Sequence, residues 1–238
     1  MEKYRMIEQD IAQKIKSGVY PPGSQLPLEN DLCEAYKVSR ITIKKATDLL
    51  VQVGLITKRR GAGSFVKEFS SQSGISEVSD EQALFMGFTR QYAGRKVTTE
   101  VNEFKVVPAT GEAAKRMLLT EDDLLYYICR TRFLDGEPYV VEYTYMPVDT
   151  IPGINKRILQ GSIYQHIVDT LGLKPQSAHR VIRAMLPTEQ EKKYFSIDFP
   201  FTVLEVEQVA YLDDGRIFEY SKAHHRGDKY SFRCVSIW

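Results

Sequence analysis

Long apolar runs and cysteines are both scarce in this 238-residue sequence. No apolar run approaches the roughly 18 residues that a membrane-spanning helix requires, and the N-terminus lacks the apolar core of an export signal. The cysteines are few, odd in number and without metal-ligand spacing, which argues against a disulfide framework and a zinc site; they are Cys33, Cys129 and Cys234. We therefore expect a cytoplasmic protein with reduced thiols, no metal and no cofactor.

Net charge is also small, at +1 for the whole chain, but the charged residues are unevenly distributed. Residues 1–68 hold 12 Lys and Arg against 8 Asp and Glu, a net charge of +4. The remaining 170 residues hold 20 against 23, a net charge of −3. The chain is long enough for two domains with separate cores, and its positive charge is gathered in the part that would meet a polyanion.

Residues 26–66 have the pattern of a helix-turn-helix followed by a short hairpin. Apolar residues recur at helical spacing up to Tyr36, the pattern breaks at Lys37, and Ser39 can cap the next helix. Two short strands, Leu55–Lys58 and Ser64–Val66, surround a glycine turn and form a basic wing. The second helix is expected to bury Ile43, Ala46, Leu50 and Val53, and an earlier helix to bury Tyr4, Ile7, Ile11 and Ile15.

Basic side chains occupy the start of the second helix and the tip of the wing. A recognition helix in a major groove meets bases and phosphates with its N-terminal turns, so Arg40, Thr42, Lys44 and Lys45 are candidate DNA contacts. A solvated basic helix face is the alternative interpretation. The addition of a basic wing favours DNA binding.

The phrases LP-x-E, VSR-x-T and KRR-G-x-G-S-F-V resemble the DNA-binding domain of the GntR family of bacterial transcription regulators, and its HutC subfamily in particular. The resemblance runs from about Tyr4 to Lys67. Asn30 and Lys44 stand where members commonly have Arg, and Lys44 lacks the bidentate geometry of a guanidinium. With the cap and the recognition helix, the expected DNA-binding set is Asn30, Ser39, Arg40, Thr42, Lys44, Lys45, Arg60 and Gly61.

A serine-rich stretch, residues 69–80, is the predicted linker between a winged helix-turn-helix domain, residues 1–68, and a second domain, residues 81–238. The second domain mixes strand and helix patterns, and an antiparallel sheet with helices packed on it, an α+β fold, is the economical arrangement. The predicted strands are Val97–Val107, Leu125–Leu134, Pro138–Met146, Val181–Leu186, Val203–Leu212 and Ile217–His225. The predicted helices are Gly111–Leu118, Ser162–Leu171 and Thr188–Phe195.

Arg130 and Arg132 are two residues apart on a predicted strand, so their side chains leave the same face and can converge on one anion. A surface ladder paired with acidic neighbours is an equally good interpretation from the residues alone. A two-residue loop at Asp135-Gly136 would turn Glu142 away from Arg130, whereas a three-residue loop with a bulge would bring the two together. Neighbouring His224 and His225 would face opposite sides of a strand and could not share a metal ion.

The ordered motifs GFTR at 87–90, R-x-R at 130–132, DGEP at 135–138, GSIY at 161–164 and EYSKAHHRGDKYSF at 219–232 resemble the UTRA effector-sensing domain of HutC-type regulators. This resemblance implies a chorismate-lyase-like fold and favours the three-residue loop. From sugar-phosphate-sensing members it also implies phosphate contacts from Phe88, Thr89, Arg130, Arg132 and Ser162. Sugar contacts are implied for Glu142, Glu219 and His225, the last where relatives often have Tyr; Glu142 and Glu219 are as readily explained as structural ion-pair partners.

These patterns predict an effector-controlled transcription regulator, and the resemblance implies a repressor of a sugar catabolism or uptake operon. One winged helix reads only a half-site, so we expect a homodimer on a palindromic double-stranded DNA operator. A sugar phosphate would alter operator binding only as far as it binds the two poses of the dimer differently. The alternative is a small-molecule enzyme whose chorismate-lyase-like domain is fused to a DNA-binding domain, which no nucleophile-base pair in the sequence favours.

Overall fold

The structure is a computed structural model that describes residues 2–67 and 87–232, without the side chain of Arg90. The described residues form two compact units, one in each range. The predicted linker and Cys234 lie outside them. No helix within these two ranges is long and apolar enough to cross a membrane.

The first unit is a three-helix domain with a hairpin, as the sequence predicts. Its elements are α1 Lys3–Lys16, α2 Glu29–Tyr36, α3 Arg40–Gln52, β1 Ile56–Arg59 and β2 Gly63–Val66, with the strands antiparallel. Ser39 caps α3, because its Oγ accepts a hydrogen bond from the Thr42 amide at 3.4 Å. The core is built from one face of each helix and includes Ile7, Ile11, Ile15, Leu32, Ile43, Ala46 and Leu50.

The second unit is a six-stranded antiparallel sheet with short helices packed on it. Its strands are β3 Val97–Pro108, β4 Leu124–Leu134, β5 Glu137–Pro147, β6 Pro175–Met185, β7 Val203–Leu212 and β8 Ile217–Arg226. Its helices are α4 Phe88–Gln91, α5 Gly111–Met117, α6 Lys156–Gln160, α7 Ile163–Gln165 and α8 Glu189–Phe195; a π-helical turn, His166–Thr170, continues α7. The strand order is β3-β4-β5-β8-β7-β6, so β3 and β6 are the edges. This is the predicted α+β fold.

Three features of the second unit differ from the predictions. Strand β6 begins at Pro175, six residues before the predicted start, because an edge strand tolerates a leading proline and polar residues that do not alternate. Helices α4 and α6 were not predicted, since they have only four and five residues and offer too little periodicity. The predicted helix Ser162–Leu171 is interrupted by the π-helical turn.

The hairpin between β4 and β5 corrects the predicted three-residue loop. Leu134 pairs with Glu137, so the loop has two residues, and Asp135 and Gly136 both have positive φ, at 54° and 88°, as a two-residue turn of this hand requires. The bulge is inside β5 instead, where Tyr139 is extra between the pairs Phe133–Pro138 and Arg132–Val140. It shifts the register by one, so Arg130 still lies opposite Glu142.

Candidate effector pocket and DNA-binding surface

A pocket opens on one face of the six-stranded sheet, beneath α4 and the start of α7. Side chains reach it from β4, β5, β6, β7 and β8, because alternate residues of each strand point to this face. All eight residues predicted to contact an effector line the pocket: Phe88, Thr89, Arg130, Arg132, Glu142, Ser162, Glu219 and His225.

One end of the pocket holds two guanidinium groups on either side of a single carboxylate. Arg130 donates to Glu142, with 2.5 Å between Nη2 and Oε2, and to the Leu159 carbonyl at 3.1 Å. Arg132 donates to the Thr89 hydroxyl at 2.6 Å and lies 3.8 Å from the same Glu142 oxygen. Its guanidinium also lies 5.1 Å from the centre of the Phe88 ring. We call this group of five side chains the arginine end.

The arginine end carries one more positive than negative charge. Burial acts to raise the pKa of Glu142, but the two guanidinium groups outweigh it and hold that pKa below its ordinary value. Burial lowers the pKa of Arg132 to about 10, against the opposing effect of Glu142, so Arg132 stays charged at neutral pH. Two cations against one anion in a buried site favour the binding of a further anion.

Three buried nitrogen atoms of the pocket have no hydrogen-bond partner among the described residues. They are Nε of Arg130, Nε of Arg132 and Nδ1 of His225. Buried polar atoms in folded proteins are nearly always hydrogen-bonded, so such atoms call for an explanation. A polar ligand in the pocket would provide acceptors for the two guanidinium nitrogens.

His225 forms part of an aromatic wall. Its ring stacks on Tyr230, with 3.8 Å between centroids and 15° between planes, and meets the Tyr139 ring edge-on. Burial lowers the pKa of His225 to about 3, which neighbouring Glu142 only partly opposes. His225 is therefore a neutral imidazole at physiological pH, able to accept or donate a hydrogen bond without adding charge.

The other end of the pocket is a hydrogen-bonded chain across three strands. From β6, Arg180 Nε donates to Gln208 of β7 at 3.0 Å. Gln208 donates to Glu219 of β8 at 2.5 Å, and the Ser221 hydroxyl donates to the same carboxylate oxygen at 2.6 Å. The Tyr164 hydroxyl also hydrogen-bonds Glu219. Desolvation of the hydroxyl, and secondly the nearby carboxylate, raise the pKa of Tyr164 well above its ordinary value. We call these side chains the polar end.

Glu219 was predicted from the sequence, but the other four members of the polar end were not. Arg180 lies before the predicted start of its strand. Gln208 did leave a signal, because it shares a strand face with Leu204, Val206 and Ala210, and one polar residue on an otherwise apolar face often indicates a buried site.

Ser162 faces the pocket but its hydroxyl is already engaged. It caps α7 by accepting a hydrogen bond from the Gln165 amide at 3.1 Å. A ligand could still receive the proton of this hydroxyl.

The opposite face of the sheet explains the adjacent histidines, which point to opposite sides as predicted. His224 is buried between two carboxylates: its Nδ1 contacts Glu191 of α8 and its Nε2 lies 3.0 Å from Glu205 of β7. Burial acts to lower the pKa of His224, but the carboxylates outweigh it and raise that pKa. Within the described residues, no three His, Cys, Asp or Glu side chains are arranged to hold a metal ion.

The predicted DNA-binding residues are exposed or partly exposed on the first unit, and four of them line one groove. Asn30, Arg40, Arg60 and Gly61 lie together between α2, the start of α3 and the wing. Ser39, Thr42, Lys44 and Lys45 do not line this groove. The Ser39 and Thr42 hydroxyls are 2.9 Å apart and engage each other, and Lys45 lies 5.7 Å from the Tyr4 ring.

Arg40 is the more exposed of the two groove cations, Arg40 and Lys58, that form an ion pair among the described residues. Its side chain is 74% exposed, and its Nε lies 3.1 Å from Glu29. An exposed pair of this kind is worth about 0–1 kcal/mol, so Arg40 can exchange Glu29 for a phosphate or a base at little cost. Gly61, at the wing tip, has a φ of 76°, which suits glycine at a tight turn.

Known proteins match both units. Residues 3–66 match the family described as bacterial regulatory proteins, gntR family, and residues 92–231 match the UTRA domain. The chain is 38% identical to the HTH-type transcriptional regulator GmuR of Bacillus subtilis over 100% of this chain and 99% of that protein. It is 28% identical to the mannosyl-D-glycerate transport/metabolism system repressor MngR of Escherichia coli, over 98% of this chain and 95% of that one.

Solved structures agree with this match. The possible transcriptional regulator YydK of B. subtilis has a TM-score of 0.79 and 27% identity, with both chains covered completely. The effector-binding domain of the B. subtilis trehalose repressor TreR has a TM-score of 0.51 and 27% identity over 59% of this chain and 98% of that one. The fold and both sites therefore define a transcription regulator with an effector-sensing domain, and these relatives are regulators, not enzymes.

The chain belongs to the GntR family of bacterial transcription regulators and carries a UTRA domain. A winged helix-turn-helix joined to a UTRA domain is the architecture expected of the HutC subfamily. The alternative interpretation as an enzyme is wrong.

Proposed function

We propose that this protein is a cytoplasmic repressor of a sugar catabolism or uptake operon, released from its operator by a sugar phosphate. The observation that carries the proposal is the pocket of the second unit, where two buried arginines share one carboxylate and face a polar end across the cavity. The named specificities of relatives support it, since one is a trehalose repressor and another a mannosyl-D-glycerate system repressor.

The phosphate belongs at the arginine end. A phosphate dianion takes several charge-assisted hydrogen bonds and matches the fork of a guanidinium. Arg130 and Arg132 each keep a buried Nε without a partner among the described residues, and the hydroxyls of Thr89 and Ser162 border the same space. Phe88 packs beside Arg132 and helps to exclude water from the bound phosphate.

The sugar belongs between Glu142, His225 and the polar end. Sugar hydroxyls both donate and accept, so they need carboxylates and amides that are already held in place. Glu219 is held by Gln208 and Ser221, and His225 is neutral and stacked on Tyr230. A ring that enters this space would meet acceptors on one side and an aromatic wall on the other.

On the DNA side, two copies of the protein would read a palindromic operator through α3 and the wing. The predicted contacts are exposed along the start of α3 and around the groove, where a recognition helix meets a duplex. Arg40 and Thr42 would contact bases or phosphates, while Arg60 and Gly61 would reach the adjacent backbone from the wing. Homodimerisation follows because each winged helix covers only one half-site.

Thermal unfolding of the full chain against matched pairs of ligands tests the effector. Each sugar phosphate is paired with its free sugar, and inorganic phosphate is a third arm. A ligand at 100 times its dissociation constant stabilises the protein by about 2.7 kcal/mol, which is a visible shift in Tm. We expect a shift with one sugar phosphate and a much smaller one with the free sugar.

The ligand that shifts Tm is then added to the protein bound to operator DNA, selected from a random duplex library. Release of the DNA supports the proposal. Equal stabilisation by the free sugar would contradict the phosphate at the arginine end, and unchanged operator affinity at saturating ligand would contradict the regulatory coupling.

A further inference from the structure

Ile41 is an apolar side chain exposed at the start of α3, where it is the second residue of the helix. Its exposure of 70% exceeds that of the other exposed large apolar residues in the described part of the first unit, which are Met6, Val19 and Leu28. The buried residues of α3 lie on the opposite side of the helix. A β-branched residue also has a lower helix propensity than Ala, Glu or Lys. Neither the core nor the stability of the helix therefore accounts for Ile41.

The side chains that surround Ile41 on its face of α3 are mostly basic. Lys44 and Lys45 follow three and four residues later, so they lie beside Ile41, and both are exposed. Asp48, one turn further on, is the acidic residue of this face, and Lys58 of β1 lies 2.6 Å from its carboxylate. This excess of positive charge favours a nucleic-acid duplex as the occupant of the face over an apolar protein surface, which offers the lysines no acceptors.

The two polar neighbours of Ile41 in the sequence are engaged inside the first unit. Arg40 is directed towards α2, with its Nε 3.1 Å from Glu29, and the Thr42 hydroxyl lies 2.9 Å from that of Ser39. Ile41 has no polar atom in its side chain, so it can enter a groove of DNA without exchanging one hydrogen bond for another. Its contribution to binding comes from the apolar area that it removes from water.

The major groove offers an apolar side chain one base-specific partner. Base edges there present hydrogen-bond donors and acceptors, and thymine adds its C5-methyl group. The N-terminal turn of a recognition helix is the part that meets base edges. We propose that Ile41 reads a thymine in each half-site of the operator through contact with this methyl group. The inference rests on the proposed operator binding and adds a base preference to it.

Replacement of thymine by deoxyuridine in the operator tests this contact, because it removes the methyl group and leaves the hydrogen-bonding groups of the base in place. The operator is the one selected from the random duplex library, and each thymine is replaced in turn, in both half-sites together. At one thymine position we expect the affinity of the wild-type protein to fall about fourfold per half-site, the effect of exposing one buried methylene-sized group.

The variant Ile41→Ala should remove this sensitivity to deoxyuridine. It should bind the thymine operator more weakly than the wild type and lose nothing further at that thymine, because the two changes remove the same contact. The salt dependence of binding should stay unchanged, since no phosphate contact is lost. Val19→Ala, at an exposed valine outside α3, is the matched control and should respond to deoxyuridine as the wild type does. Measurement of Tm confirms that both variants are folded.

Two other results would overturn the inference, and they differ in what they leave standing. If every deoxyuridine replacement costs Ile41→Ala as much affinity as it costs the wild type, Ile41 does not contact a thymine methyl group, while operator binding itself stands. If the library yields no preferred duplex, the proposed operator binding fails, and the base preference fails with it.

Discussion

The two units use the same chemical group, the guanidinium, in opposite environments. Arg40 on the first unit is 74% exposed and forms a surface ion pair with Glu29. Arg130 and Arg132 on the second unit are 6% and 3% exposed and share a carboxylate beneath the surface. The exposed ion pair costs little free energy to form and little to break. The guanidinium groups of Arg130 and Arg132, in contrast, have already lost their water on folding.

This difference matches what each unit is proposed to recognise. Operator phosphates are many and evenly spaced, so exposed, salt-sensitive cations attract the duplex without fixing one geometry. A small metabolite offers a single anionic group, and it must be told apart from similar metabolites. Buried donors in fixed positions achieve this, because a ligand that leaves one of them unpaired is rejected.

The largest effect is expected where the buried carboxylate is removed. Glu142→Gln leaves two buried guanidinium groups without a counter-charge, and breaking a buried ion pair in this way costs about 3–5 kcal/mol. We expect a clear fall in the free energy of unfolding in urea, partly restored by the phosphorylated effector. Glu137→Gln, at an exposed position of the same strand, is the matched control. Equal stability of the two variants would show that the two guanidinium groups do not depend on Glu142 as a buried counter-charge.

Removal of Arg132 should have the next largest effect. It should lower the affinity for the effector rather than the stability of the fold or the affinity for DNA. Arg132→Ala loses at least one charge-assisted hydrogen bond to the effector, worth about 1.5–3 kcal/mol, or roughly 10- to 150-fold in affinity. Induction should disappear while operator binding without ligand stays intact. Arg216→Ala, at an exposed hairpin position, is the control. If DNA is still released at the same ligand concentration, Arg132 is not part of the effector site.

Arg40→Ala reverses that pattern. It should weaken operator binding by about 1–3 kcal/mol through loss of a base or phosphate contact, and leave effector affinity unchanged. The measurement is a DNA titration at several salt concentrations, with Lys16→Ala as an exposed cation on another helix for comparison. An equal loss on random DNA would reduce Arg40 to a phosphate contact. Glu29→Gln, which frees Arg40 from its surface partner, should instead raise DNA affinity slightly.

The smallest expected effect is the dependence of stability on pH. All four histidines lie beyond residue 68, so a histidine-linked response to pH belongs to the second unit. The raised pKa of His224 means that its contribution to stability is complete below about 6.5 and is lost as pH rises through the folded-state value. The pKa of His225, lowered to about 3, has the opposite sign, and stability is lost as pH falls below about 6.5. We expect His224→Gln to flatten the alkaline side of the Tm profile and His225→Gln the acid side. If each variant instead altered the opposite side of the Tm profile, or neither altered it, the environments assigned to these two rings would be contradicted.

The sequence predicted local features well where one residue type or one period decides the structure. The Ser39 cap and the strand Val203–Leu212 were both predicted, because a capping hydroxyl and a period of two leave few alternatives. The polar end of the pocket was not predicted, since Arg180, Gln208 and Tyr164 meet only through the order of the strands in the sheet. That order is set by long-range pairing, which no local pattern encodes.

The bulge at Tyr139 has a consequence for how this pocket could change in evolution. With one extra residue in β5, Glu142 faces Arg130, and every side chain beyond the bulge owes its face of the sheet to that residue. Substitutions in the pocket would alter ligand preference step by step. Deletion of one residue beyond the bulge, such as Val141, would instead place Glu142 opposite Thr131, on the other face of the sheet from Arg130. Gaps at this point of the hairpin should therefore separate sensors of anions from sensors of other ligands.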